Sequence, residues 1–150
     1  MQDAADELVE TLMRTYNTEK AIVYNTLQCY RWDRVDYLKS LHERSKRDGF
    51  KIGMKIVRGA YMEKERARAE EKGYKSPICT DKQASDDNFN AALTYILNNL
   101  GDISIFIGTH NEQSCYLAME MMKQLDISKE DNNVWFGQLY GMSDHISFNL

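Results

Sequence analysis

The feature that most constrains this chain is an alternation, met four times, of a short apolar run, a polar tip and a helical stretch. Ala21-Ile22-Val23-Tyr24 changes abruptly to Asn25-Thr26-Leu27-Gln28, and Lys51 to Val57 ends in Arg58-Gly59-Ala60-Tyr61. Ile103 to Ile107 is tipped by Gly108-Thr109-His110-Asn111, and Val134-Trp135-Phe136 runs into Gly137-Gln138-Leu139-Tyr140-Gly141-Met142. Helical spacing fills the intervals. Ala5, Leu8, Val9, Leu12, Met13 and Tyr16 mark a first helix; Val35, Leu38 and Leu41 a second, closing near Asp48-Gly49. Glu63 to Lys72, roughly Ser85 to Leu100, and the stretch through Leu117, Met121 and Leu125 supply the others, with Gly73 to Thr80 and its Pro77 as a loop.

Strand and helix in alternation call for a parallel sheet with crossover helices. An open doubly wound sheet and a closed barrel both satisfy that pattern. No Gly-x-Gly-x-x-Gly follows any of the strands, so the dinucleotide fingerprint of the open fold is missing. Each strand instead carries polar residues at its carboxyl end, where barrel enzymes place their chemistry. The expected fold class is therefore α/β, a partial (β/α)8 TIM-like barrel. The sequence supplies about four β/α units of the eight a barrel needs. Residues 1–150 are accordingly expected to be a fragment of a single barrel catalytic domain, opening within a helix and leaving two sheet edges to be covered.

Composition narrows the partners. A formal net charge of -4, with 28% charged residues of both signs interleaved, leaves no basic face for a phosphate backbone, so no nucleic acid partner is expected. Cys29, Cys79 and Cys115 lack the paired spacing of a zinc site or a disulfide framework and read as reduced thiols of a cytoplasm-like compartment. The amino terminus is acidic where a signal peptide is basic, and no apolar stretch is long enough to span a bilayer.

Several residues are candidates for chemistry. Alternation puts Lys55, Val57 and Gly59 on one face of their strand. If that face is inward, a cation points into the barrel mouth; if outward, the lysine stem snorkels along a helix. Gly59 suits a close backbone approach to a ligand or a simple turn. Thr109-His110-Asn111 is either a ligand-binding tip or a helix start with Thr109 or Asn111 as cap. Tyr61 is either a substrate-facing wall or a packing residue. His42 falls on a charged helix and is expected to face solvent, and His145 to lie near a helix start at the surface. Three histidines on different elements do not make a metal site. Trp32, Trp135, Met119, Met121 and Met122 read as core or helix-face packing.

Lys55-Ile56-Val57-Arg58-Gly59-Ala60-Tyr61, followed in order by Thr109-His110-Asn111 and Gln138-Leu139-Tyr140-Gly141-Met142, resembles the proline dehydrogenases. The resemblance extends from about Asp3 to Leu150 and includes Asn25 to Tyr30. It implies a distorted β/α barrel that holds FAD noncovalently, oxidises L-proline to Δ1-pyrroline-5-carboxylate in proline catabolism, and passes electrons to a quinone. Carried over by position, Lys55 takes the place of a basic residue beside the flavin ring, and Asn25 that of an amide near the ring edge. Arg58, Gly59, Ala60, Thr109, His110 and Gln138 correspond to cofactor-binding positions, and Tyr61 and Leu139 to walls of the proline pocket.

The same resemblance implies earlier strands bringing a lysine and an aspartate to the substrate, and a final helix with an arginine pair for the proline carboxylate. Neither is in this sequence. The isolated chain is therefore expected to bind FAD poorly and not to turn over proline. It also implies a mitochondrial setting if the source is eukaryotic, with peripheral membrane association left open for the full-length parent. The residues alone are also consistent with a Schiff-base aldolase-type barrel using Lys55 as nucleophile, and with a non-catalytic fragment that binds a partner through its sheet edges.

Overall fold

A computed structural model describes residues 2–142 and 144–148 of the chain. In order, the elements are α1 (Gln2–Tyr16), β1 (Tyr24–Gln28), α2 (Arg34–Asp48), β2 (Ile52–Val57), α3 (Met62–Lys72), α4 (Lys82–Leu97), β3 (Ile103–Gly108), α5 (Glu112–Gln124), β4 (Val134–Gly137) and α6 (Asp144–Ser147). The strands form one four-stranded sheet in the order β1-β2-β3-β4, every neighbouring pair parallel. Sequential order with helical crossovers is that of consecutive β/α-barrel units, in agreement with the sequence reading.

Registry decides which side chains share a face. Thr26, Lys55, Phe106 and Trp135 stand opposite one another in one row, and Leu27, Ile56, Ile107 and Phe136 in the next. Successive side chains of a strand alternate between faces, so the two rows point to opposite sides. The second row packs under the helices with Met54, Ile52, Ile103 and Ile105, against Phe89, Leu93 and Ile96 of α4, Leu38 and Leu41 of α2, and Met13 of α1. Each such fully buried side chain contributes about 1.5–3 kcal/mol of transfer free energy.

The first strand begins later than its apolar letters suggest. Asn17 explains why. Its amide nitrogen donates to the carbonyls of Val23 (2.8 Å) and Lys51 (3.0 Å), and its oxygen accepts from the backbone N–H of Ile22 (3.0 Å) and Val23 (2.8 Å). These bonds satisfy Ile22 and Val23 outside the ladder. Pairing starts at Tyr24, and residues 25 to 28, expected as a polar tip, are the strand itself. Further on, α4 opens at Lys82, earlier than the apolar spacing suggests, because the Asp81 side chain accepts from the N–H of Ala84 at 2.8 Å.

Three expectations about single residues are corrected. His42 is buried, not solvent-facing: its Nδ1 lies 2.8 Å from the Tyr95 hydroxyl and its Nε2 3.3 Å from Asp102. The charged letters around it flank a stripe that turns inward with Leu38 and Leu41. Trp32 and Trp135, read as packing residues, lie half exposed; each indole N–H instead donates to a nearby carbonyl, of Ser76 and Asn132 respectively.

Candidate active site

The face opposite the helices carries a pocket of about 820 Å³ at the carboxyl ends of β1 to β4. Its lining comes from every strand: Thr26 and Gln28 of β1, Lys55 and Val57 of β2 with Arg58 to Tyr61 beyond, Phe106 and Gly108 of β3 with Thr109 to Asn111, and Gly137 of β4 with Gln138 and Leu139 beyond. Of the residues singled out from sequence, Lys55, Arg58, Gly59, Ala60, Tyr61, Thr109, His110, Gln138 and Leu139 come together here. Lys55 is inward in the sense that matters: it shares this face with Thr26 and Phe106, its ammonium 5.5 Å from the centre of the Phe106 ring.

Asn25 does not join them, which corrects its placement at the mouth. It is buried on the helix side, where its amide donates to Asp6 (2.9 Å) and to the Tyr37 hydroxyl (3.2 Å), and its oxygen accepts from the N–H of Thr26. Starting the strand too early misplaced the tip, and alternation then sends Asn25 to the wrong side. Gln28, at the true carboxyl end of β1, is the amide that faces the pocket. The sequence offered one signal for it: it lies an even number of positions from Thr26, on the parity of the face that Lys55 shares.

Among the described residues, Oε1 of Gln28 and Nδ1 of His110 are buried in the pocket without a hydrogen-bond partner. The His110 Nε2 lies 3.5 Å from the Leu139 N–H, which donates to it. In a neutral ring that places the proton on Nδ1, so the orphan there is a donor. An unmet buried acceptor and an unmet buried donor each carry a desolvation penalty of about 1–3 kcal/mol, recovered when a ligand supplies the complementary group.

Glycines shape the floor. Gly59 has φ +107°, and a Cβ there would stand 1.9 Å from the Tyr30 ring and 2.7 Å from the Gln28 oxygen. A Cβ at Gly137 would stand 2.2 Å from the Phe106 ring. Only glycine admits both backbone approaches. Thr109 and Asn111 divide the roles expected of them: Asn111 caps α5, accepting from the N–H of Ser114 at 3.0 Å, while Thr109 lines the pocket. Cys29, beneath the site, is a buried thiol whose pKa desolvation pushes up to about 12, so it stays protonated and takes no part as a nucleophile.

Comparison with known proteins meets this geometry from outside. The family model described as "Proline dehydrogenase" matches residues 1–150. Mitochondrial proline dehydrogenase 1 of Homo sapiens is 38% identical over 99% of this chain and 25% of its own length. The carbapenem antibiotics biosynthesis protein CarD of Pectobacterium carotovorum is 40% identical over 100% of the chain and 38% of its own. Among solved structures, proline utilization A (PutA) from Bdellovibrio bacteriovorus inactivated by N-propargylglycine superposes with a TM-score of 0.86 at 29% identity, covering 96% of this chain and 15% of that one. The chain thus spans about a quarter to two fifths of the length of these curated relatives.

Proposed function

Because the chain belongs to the proline dehydrogenase family, we propose that the protein carrying it oxidises L-proline to Δ1-pyrroline-5-carboxylate with an FAD seated on the pocket face of β1 to β4. Electrons then pass to a quinone. The single observation that carries the reading is the gathering, on one sheet face, of a cation (Lys55), unmet polar groups (Gln28, His110) and glycine-floored approaches. The donor set suits a flat heteroaromatic ring with alternating N–H and carbonyl edges: Gln28 Oε1 accepts, His110 Nδ1–H donates, and Lys55 supplies charge to an anionic edge.

The flavin, when bound, supplies the two-electron acceptor that amine oxidation requires and side chains lack. The chain's own residues hold and shape. Lys55 places fixed positive charge on the face, Gln28, Thr109, His110 and Gln138 orient the cofactor, and Arg58 to Ala60 bring the β2 tip against it. Tyr61 and Leu139, both more than half exposed at the rim, are positioned to wall the proline ring. The other contacts to substrate come from parts of the protein outside residues 1–150.

No helix among the described residues is long and apolar enough to cross a membrane. Peripheral contact through other segments is compatible with delivery of electrons to a quinone, and the mitochondrial relatives argue for that compartment in a eukaryotic source. The Schiff-base alternative with Lys55 is less favoured, because the family match and the relatives point to proline oxidation. The test is direct: the purified protein of full natural length should release FAD on denaturation and reduce an artificial dye only when L-proline is present. Dye reduction without bound flavin, or borohydride trapping of a carbonyl substrate on Lys55, overturns the reading.

A further inference from the structure

Arg58 lines the pocket, yet its guanidinium is engaged elsewhere. Nε donates to Asp86 of α4 at 2.5 Å, Nη1 to the Thr109 hydroxyl at 2.9 Å and Nη2 to the Ser114 hydroxyl of α5 at 3.0 Å, while the plane lies 4.4 Å from the centre of the Phe89 ring. Asp86 receives a second cation, Lys82, at 2.6 Å. Burial alone would raise the Asp86 pKa, but the bonds from Lys82 and Arg58 overcome it and hold the carboxyl below its usual range, so the anchor is charged.

The consequence lies in the hydroxyls. A hydroxyl has one proton to give and two lone pairs to accept with. Thr109 Oγ1 accepts from Arg58 and also from the Asn111 N–H at 3.0 Å, which fills both lone pairs. Its remaining capacity is its proton. Ser114 shows the same polarity: it accepts from Arg58 and donates to Asn90 Oδ1 at 2.8 Å. Arginine has no acceptor, so it cannot reverse either direction.

We propose that Asp86 and Arg58 are positioning residues that lock the Thr109 hydroxyl as a one-way donor into the pocket, where it meets an acceptor atom of the flavin nucleotide. Arg58 thereby acts through Thr109. This rests on the flavoprotein reading above. The locked donor discriminates: it favours a ligand oxygen or unprotonated nitrogen at that point and rejects an N–H.

A double-mutant cycle on the full-length protein tests it. FAD affinity is read by quenching of flavin fluorescence, with far-UV circular dichroism and melting temperature recorded for each variant. Thr109→Val is expected to weaken FAD binding about tenfold, the size of one well-formed neutral hydrogen bond. Arg58→Lys, which keeps the charge and removes the fork, and Asp86→Asn are each expected to weaken it severalfold. Each should add almost nothing in the Thr109→Val background. Thr109→Ser, which keeps the hydroxyl, should restore most of the affinity and with it the sensitivity to Arg58→Lys. Losses that multiply in the double variants overturn the relay, because Arg58 then acts independently of Thr109. Failure of the unaltered protein to bind FAD overturns the flavoprotein reading and this inference with it. If Arg58→Lys lowers the melting temperature too far for titration, the Asp86→Asn and Thr109→Val pair completes the same cycle.

Discussion

The two faces of one sheet make the instructive comparison. On the helix side, polar residues that enter the core find partners within the chain. Arg34 donates to Asp6 (2.7 Å) and to both oxygens of Asp33 (2.7 and 2.9 Å), Arg31 joins Asp33 (2.7 Å), and Asn25 spans Asp6 and Tyr37. On the pocket side, Gln28 and His110 keep buried polar atoms with no partner among the described residues. The same five-residue strand supplies both, Asn25 to one face and Gln28 to the other. Buried groups satisfied on the first face stabilise the fold, and the unmet pair on the second is where the proposed cofactor would supply the partners.

The sharpest way to break this comparison is to remove Arg34, 4% exposed, which would leave the 7% exposed Asp6 and its neighbour Asp33 without their shared cation. Arg34→Met is expected to cost about 3–5 kcal/mol in urea unfolding, the range for stranding one half of a buried ion pair. A loss under 1 kcal/mol would show that the helix-side network is ornamental.

A smaller effect comes from acid. Glu10 is held below the usual carboxylate range chiefly by the Arg44 hydrogen bond, Asp102 chiefly by Lys51, and Asp33, against the opposing push of burial, by Arg31 and Arg34. A depressed folded-state pKa gives stability that is complete above the unfolded value and lost as protons bind. The unfolding midpoint should therefore be steady with respect to these groups above about pH 5 and fall progressively from about pH 4 downward. A flat profile from pH 5 to 3 would contradict the ion-pair account.

The smallest expected change in stability is on the pocket face. Gln28→Leu removes an unmet acceptor, so unfolding free energy should shift by no more than about 0.5 kcal/mol and in the stabilising direction if at all. FAD affinity should fall at the same time. Stability lost together with affinity would mean that Gln28 belongs to the scaffold, and the contrast between the faces would have to be redrawn.

Most of the architecture was legible in the letters, because burial on one face of a strand or helix leaves a period in the sequence. The four strands, the helices between them and the polar tips of the last three followed from that period; the first tip did not, because residues 25 to 28 are the strand itself. Parity grouped Lys55 with Val57 and Gly59 but left open which way that face turned, and the register with Thr26 and Phe106 decided it. Asn25 was misplaced, because the start of β1 is set by Asn17, whose four hydrogen bonds reach segments that sequence spacing does not connect. His42 was misplaced for a similar reason: its neighbours along the chain are charged, and its partners Tyr95 and Asp102 come from α4 and the approach to β3.

The sequence by itself determined the class of fold, the polar strand ends that gather at the pocket and the family. The tertiary structure alone decided which amide faces the pocket, that Asp86 and Ser114 stand behind Arg58, and that the Thr109 hydroxyl can only donate. The physical reason is range. Hydrophobic periodicity is written in adjacent residues, whereas the direction of a hydrogen bond depends on which distant groups the fold has already brought within about 3 Å.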